Sequence, residues 1–323
     1  MVTPPLSIVI AVPPKAQPLD VSGPLAAFRE AYRQSAGDIS YTVKLMSIDG
    51  TRQVAMDGMN ITADLSINDP DIAIDTLLIA GTHAYQQAFD MPAFHQWLQR
   101  RTPTIRRYGS VCTGAFFLGA AGLLDGRQVT THWQQASELA ERYPKADVQA
   151  DAIYIQDNAL CTSAGITAGI DLSLKLIEDD YGRTLALNIA RRLVVFLRRP
   201  GGQSQFSAHL AAQMATDSRI QHIQHWVLEN IEADLSLPAL ATQAAMSVRN
   251  FSRVFRQETG NTPTNFVERV RVDAAKRWLE DTNMPLQKVA SRCGFTNVDL
   301  MRRAFIRRIG IGASDYRLRF RGL

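Results

Sequence analysis

Apolar residues in the first half of the chain come in short runs separated by stretches with helical spacing. Leu6-Ser7-Ile8-Val9-Ile10-Ala11-Val12 is almost continuously apolar, which predicts a strand covered on both faces. A helix follows through Pro24-Leu25-Ala26-Ala27-Phe28, and residues 41–48 and 75–81 repeat the strand pattern, the second closing on Gly81. A helix over about 92–100 precedes a strand over 104–111, a further helix begins just past Cys112, and 153–156 is the last strand predicted. Strands alternating with helices predict an α/β domain built on a doubly wound, mostly parallel, flavodoxin-like sheet.

Past residue 160 or so the strand pattern stops. Residues 168–181 and 183–197 read as helices, and then Arg198-Arg199-Pro200-Gly201-Gly202-Gln203-Ser204-Gln205 breaks the rhythm with a proline, two glycines and polar residues. Everything beyond is helix and turn. The expected division is an α/β domain over 1–197, a linker and connecting segment over 198–221, and an all-α domain over 222–323.

The all-α part contains a unit repeated at a spacing of about 50 residues. Leu237, Leu240 and Ala241 are followed by a break at Ala244-Ala245-Met246, then Ser247, Phe251, Phe255 and Gly260. Leu286, Val289 and Ala290 are followed by Cys293-Gly294-Phe295, then Asn297, Met301, Phe305 and Gly310. Each unit reads as helix, short turn, helix, with Ser247 and Asn297 as N-caps and a glycine at the C-terminus of the second helix. Phe251, Phe255, Met301 and Phe305 are expected to point inward. Val248, Arg249, Ser252, Arg253 and Arg256 ring the outer face of one second helix, and Val298, Asp299, Arg302 and Arg303 that of the other. Solvated arginines on two unrelated amphipathic pairs would be the plain structural alternative; the shared spacing, capping and basic faces argue against it.

Charge supports that reading. Residues 247–323 hold 16 Lys and Arg against 7 Asp and Glu, a balance of +9 that leaves −5 for the remainder of a chain whose total is +4. A basic excess confined to one end is the footprint of a polyanion-binding module. With 46% hydrophobic and 20% charged residues the composition is that of a soluble globular protein, and no apolar run approaches the roughly 18 residues of a membrane span. The N-terminus lacks the basic and apolar regions of a signal peptide. Three cysteines, Cys112, Cys161 and Cys293, stand far apart without CxxC spacing. Neither a disulfide framework nor a metal site is expected, and the expected compartment is the cytoplasm.

Residues 222–321 resemble the DNA-binding domain of the AraC/XylS family of regulators. Lys288-Val289-Ala290-Ser291-Arg292-Cys293-Gly294-Phe295, with Phe305, Arg307 and Gly310, corresponds to that family's signature region, although Ala313 stands where a proline is usual. The resemblance implies a connecting helix over about 264–280 that holds two recognition helices against one side of double-stranded DNA, a promoter or operator, one helical turn apart. The residues expected at the DNA are Ser247, Arg249, Asn250 and Arg253 in the first unit, and Asn297, Val298, Asp299 and Arg302 in the second. Arginine pairs with guanine edges, while residues near helix N-termini mainly fix phosphates.

In the α/β part, Tyr108-Gly109-Ser110-Val111-Cys112-Thr113-Gly114-Ala115 places a cysteine between a strand and a helix among small residues. This is the pattern of a nucleophile elbow, and a helix N-terminus there is expected to lower the thiol pKa. His132 is open between pocket lining and a structural hydrogen bond; Asp20 offers a carboxylate after the first strand. Cys161 reads as a buried strand-end residue, Ser163 and Gly165 as a pocket rim, and Cys293 as a small core residue. Trp133 and Tyr85 offer ring faces to a cationic ligand.

With Leu19-Asp20-Val21-Ser22-Gly23-Pro24, Leu123-Leu124-Asp125-Gly126-Arg127, Thr131-His132-Trp133 and the segment from Ser163 to Asp171, residues from about 6 to 195 resemble the PfpI-like branch of the glutamine amidotransferase-like superfamily. The two resemblances together imply a metabolite-sensing regulator. Its ligand pocket is expected at Asp20, Cys112, Thr113, His132 and Ser163. Its effector is expected to be a small amine or amino-acid derivative. It is expected to form a homodimer, to contact RNA polymerase if it activates, and to need no cofactor. Thr113 stands where peptidase and amidotransferase members carry histidine, which argues against those activities. The combination of Cys112, Asp20 and Thr113 is similar to isocyanide hydratases, so an enzyme with a DNA-binding tail is the alternative.

Overall fold

A computed structural model describes residues 6–34, 41–70, 72–197, 203 and 218–320 of the chain; apart from Gln203 and residues 218–221, the predicted linker lies outside them. The chain divides into two compact units, Met1–Arg199 and Pro200–Leu323.

The strands of the first unit are β1 (Leu6–Val12), β2 (Tyr41–Ser47), β3 (Gln53–Ala55), β4 (Asn60–Thr62), β5 (Leu65–Ser66), β6 (Thr76–Ile79), β7 (Arg107–Val111), β8 (Gln128–Val129), β9 (Asp147–Val148), β10 (Tyr154–Asp157) and β11 (Leu160–Ser163). Seven of them form one sheet in the order β10-β11-β7-β6-β1-β2-β5. Every pairing in it is parallel except β10 with β11. The helices are α1 (Pro18–Gln34), α2 (Pro92–Arg101), α3 (Ala115–Ala120), α4 (Ala136–Arg142), α5 (Ala168–Tyr181) and α6 (Arg183–Leu193).

The central strand β1 shows why the sheet is covered on both sides. Ile8, Ile10 and Val12 enter one core with Phe28 of α1, Leu172 and Ile177 of α5 and Ile189 of α6. Val9 and Ala11 enter the other with Phe94 and Leu98 of α2 and Phe116 and Phe117 of α3. The period of two along a strand divides one apolar run between two helical layers. The expected doubly wound, mostly parallel architecture is the observed one.

Local differences have local causes. The strand expected over 104–111 begins only at Arg107, because Pro103 lies in a 3-10 turn, Thr102–Thr104, and has no N–H for a ladder. The helix expected over 183–197 stops at Leu193, where Val194 turns left-handed. Strand β11 lies beyond the last strand predicted. Its residues Leu160-Cys161-Thr162-Ser163 are all buried, and half of them are polar: Thr162 Oγ1 accepts from the Thr130 N–H at 2.9 Å. A hydroxyl satisfied inside the sheet hides a buried strand from a hydrophobicity pattern.

The second unit contains α7 (Ser218–Glu229), α8 (Leu237–Gln243), α9 (Val248–Thr259), α10 (Pro263–Asp281), α11 (Leu286–Arg292), α12 (Val298–Ile309) and α13 (Ala313–Phe320). Helix α10 is shared by two small cores. Phe266, Val267 and Val270 pack with Ile220, Ile223, Leu240, Phe251 and Phe255, whereas Val272, Ala275 and Leu279 pack with Val289, Cys293, Met301 and Phe305. The inward set predicted for both repeats is buried. Ala313 starts α13 as Pro263 starts α10, a position where a helical N–H has no partner to lose. Among the described residues, no helix is long and apolar enough to cross a membrane.

Candidate functional site

Strand β7 ends at Val111, and Cys112 follows in a left-handed conformation, φ 58°, before a 3-10 turn leads into α3. For a residue with a Cβ such a conformation costs on the order of 1–3 kcal/mol and persists only where the surroundings impose it. Two glycines make room for it. A Cβ on Gly165, whose φ is +107°, would lie 2.3 Å from Cys112 Cβ and 2.6 Å from its Sγ. A Cβ on Gly81 would lie 2.4 Å from Asp20 Oδ2 and 2.6 Å from Cys112 Cβ.

Asp20 is fully buried in the first turn of α1. Its Oδ1 accepts the Ile166 N–H at 2.5 Å, while Oδ2, facing Gly81 and Cys112, has no well-formed hydrogen bond among the described residues. Burial pushes its carboxyl up to about 6, against the lowering effects of the Ile166 N–H, Cys112 and Gly81. The Cys112 thiol is also pushed up, first by burial and then by the Asp20 charge. The lowering expected from a helix N-terminus does not prevail, because α3 is six residues long and the thiol is almost completely buried.

The remaining predicted residues divide between packing and the site. Thr113 Oγ1 donates to Thr82 O at 2.8 Å and accepts the Thr82 N–H at 2.9 Å, so its hydroxyl ties two loops together. Ser163 is fully buried beneath any rim, its Oγ without a hydrogen-bond partner among the described residues, and Ser110 Oγ is in the same condition. Thr131 Oγ1 donates to Cys112 O at 2.8 Å. The next residue, His132, is half-buried and accepts the Gln134 N–H on Nδ1 at 3.4 Å; burial lowers its pKa. Trp133 is 55% exposed beside it. The Tyr85 hydroxyl donates to Glu138 Oε2 at 2.6 Å and its ring packs on Phe116. Cys161 and Cys293 are core residues with thiols pushed up to about 12 by burial. Sequence reasoning missed Gly81, Ile166 and His83, whose charge acts on both Asp20 and His132. The run Ile79-Ala80-Gly81-Thr82-His83 leaves the carboxyl end of a parallel strand, where α/β sheets present their functional residues, and that was the available signal.

In the second unit, both recognition helices are capped as predicted. Ser247 Oγ accepts the Asn250 N–H at 3.3 Å, Asn297 Oδ1 accepts the Leu300 N–H at 2.9 Å, and Gly260 and Gly310 close the helices left-handed. Arg249 is exposed. Arg253 donates to Asn250 Oδ1 at 3.0 Å and to Gln257 Oε1 at 3.2 Å. Asp299 is paired with Arg302 and Arg303. Val298 leans against the second core and is half-buried, whereas Leu300 is 43% exposed on the outer face. An open groove of about 720 Å³ runs beside α9, lined by Arg253, Arg256, Gln257, Thr262 and Thr264.

The model of the DJ-1/PfpI family matches residues 6–179, more than half of the chain. The chain belongs to the DJ-1/PfpI family. This member carries a second match, to a helix-turn-helix domain of AraC type, over residues 240–319. Among curated proteins it is similar to the HTH-type transcriptional regulator GbdR of Pseudomonas aeruginosa, 29% identical over 88% of this chain and 77% of that one. It is also similar to an isonitrile hydratase of Pseudomonas putida, 28% identical over 52% of this chain and 69% of the hydratase. Among solved structures, a THiJ/PfpI family protein from Pseudomonas syringae superposes with a TM-score of 0.53 at 22% identity, covering 62% of this chain and 78% of that one. This last likeness concerns the fold.

Proposed function

We propose that this DJ-1/PfpI member is a ligand-responsive transcription regulator. Its helical unit binds promoter or operator DNA through α9 and α12. Its α/β unit receives a small metabolite at the Cys112 site and mediates homodimerisation. The observation that carries the reading is the repeated, capped recognition helix with arginines on its outer face, built twice on one connecting helix. The named function of GbdR supports it. The residues proposed at DNA are Ser247, Arg249, Asn250 and Arg253 with Asn297, Asp299 and Arg302; Val298 contributes packing. The proposed pocket comprises Asp20, Cys112 and Gly165, with His132 and Trp133 beside it. The exposed Trp133 ring favours an amine or amino-acid derivative as effector, because an aromatic face attracts a cation. The compartment is the cytoplasm, and activation would require contact with RNA polymerase.

The test is a DNA-binding titration of the full chain against its own upstream region at several salt concentrations, with and without candidate amines. Binding that weakens as salt rises and changes with one amine supports the reading. A chain that binds no duplex at any salt overturns it. The effector acts only if it binds the DNA-competent and incompetent states differently.

One observation favours a second reading. A carboxyl pushed up to about 6 beside a cysteine is suited to proton transfer near neutral pH, so Asp20 and Cys112 are placed for hydratase-like chemistry. Against it, the thiol is held protonated and almost completely buried. Multiple turnover of an isocyanide, lost in both Cys112→Ala and Asp20→Ala, would establish the enzyme; absence of turnover in the wild type removes it.

A further inference from the structure

The two recognition helices share a pattern but not a charge. Counted from the N-caps Ser247 and Asn297, the second helical position is Arg249 in α9 and Asp299 in α12. Among the described residues the Arg249 guanidinium has no ion-pair partner, and neither has Arg256 on the same helix. In α12 every arginine is engaged. Asp299 Oδ1 accepts from Arg302 Nε at 3.2 Å and Nη2 at 2.9 Å, and Oδ2 pairs with Arg303 Nη2 at 2.9 Å. Arg307 and Arg308 are both paired with Glu268 of α10. Asp299, Arg302 and Arg303 are each half-exposed, so this cluster lies on the open face of the helix.

A carboxylate on that face changes how the helix meets DNA. Against phosphates, the cluster presents one net positive charge where its arginines alone would present two, and the carboxylate itself is repelled. Against a base edge, the same carboxylate can accept from cytosine N4, which frees the two guanidiniums for DNA. Arg302 holds the Asp299 carboxyl below its ordinary range, so the charge is present at neutral pH. Helix α9, with an arginine at the equivalent position, has no such penalty.

Resting on the DNA-binding reading above, we propose that Asp299 is a discrimination residue. It suppresses sequence-independent binding by α12 and yields its arginine partners only where a cytosine amino group takes their place. Arg249 and Arg256 of α9 supply the sequence-tolerant affinity. The two helix-turn-helix units thus divide the work, the first holding DNA and the second choosing it.

The experiment uses the full chain and two duplexes: one that the wild type selects from a randomised pool, and a scrambled version of it. Wild type, Asp299→Asn and Asp299→Glu are titrated by fluorescence anisotropy over a salt series. Removing one negative charge should steepen the salt slope on the scrambled duplex by about 0.9, which corresponds to roughly eightfold tighter binding at 0.1 M salt. On the selected duplex Asp299→Asn should bind no tighter than wild type, so the preference falls by about eightfold or more. Asp299→Glu keeps the charge and should keep scrambled-duplex affinity low. If Asp299→Asn tightens both duplexes equally, leaves the preference unchanged, or behaves as Asp299→Glu does, the proposal is overturned. A wild type that binds no duplex at any salt overturns the DNA-binding reading itself, whereas one that binds duplexes without preference overturns this proposal alone.

Discussion

Asp20→Asn tests the electrostatics of the Cys112 site without dismantling it. Asparagine keeps an oxygen to accept the Ile166 N–H and puts an uncharged amide group where Oδ2 stands without a well-formed hydrogen bond. In the native state the Asp20 carboxyl rises from an ordinary 3.8 to about 6, because burial disfavours the charged form. The native state therefore holds a proton that the unfolded chain has already lost between those pH values, and wild-type stability falls as pH rises through the window. A shift of about two units at about 1.4 kcal/mol each gives a loss of about 3 kcal/mol, complete by about pH 7. The variant has no such group, so its stability relative to wild type should improve by about 2.4 kcal/mol between pH 4 and pH 7.5, the first part of the change lying below pH 4. Taking the difference between the two proteins cancels most other titrations. Of the neighbours that act on Asp20 two are titratable, the Cys112 thiol, which stays protonated throughout, and His83, which a His83→Gln background removes. Urea unfolding followed by hydrogen exchange in β1 and α1 reads the first unit, and peptides from α10 serve as an internal control. A difference that stays flat with pH, or that moves against the variant as pH rises, would refute a carboxyl raised by burial.

Further substitutions probe the packing and the interface. Gly165→Ala forces a Cβ to within 2.3 Å of Cys112 Cβ at a φ of +107°, and should cost the first unit several kcal/mol, read as a lower urea midpoint, while α10 protection is unchanged. Ser247→Ala and Asn297→Ala each remove one capping bond and should cost about 1 kcal/mol of second-unit stability, measured by thermal unfolding. Arg249→Ala should weaken binding to selected and scrambled DNA alike and lower the salt slope by about 1, as loss of a phosphate contact does; a loss of about 1–3 kcal/mol confined to the selected duplex would make it a base reader and refute the division of labour.

The helical unit was largely legible because its signals are local. A cap reaches three residues, from Ser247 to Asn250 and from Asn297 to Leu300, and an amphipathic face repeats within one turn, so the sequence order displays both. Val298 is nevertheless among the residues expected at the DNA, although it precedes Met301 by three and Phe305 by seven residues, the spacing of an inward stripe. The charge pattern drew attention to the outer face, and the apolar period decided the actual orientation.

The Cys112 site was legible only in part, for the opposite reason. Its cysteine announces itself through the small residues of one turn, but Asp20 and Ile166, which meet through a hydrogen bond, are 146 positions apart. Gly81 enters from the end of another strand, and its place there marks it as a candidate without showing that its missing Cβ leaves space for Asp20 and Cys112. The same separation explains the wrong direction expected for the thiol. A helix N-terminus is visible in sequence, whereas burial depends on elements brought in from Asp20, Gly81 and Gly165, and burial is the larger effect. Near neutral pH the Cys112 thiol keeps its proton while the buried Asp20 carboxyl, at about 6, is giving its own up, so the site stands at the edge of becoming charged. Ligand binding that alters its hydration would therefore shift the Asp20 proton, so the proton taken up or released on adding an amine to the full chain reports directly on whether this pocket is the receiving site.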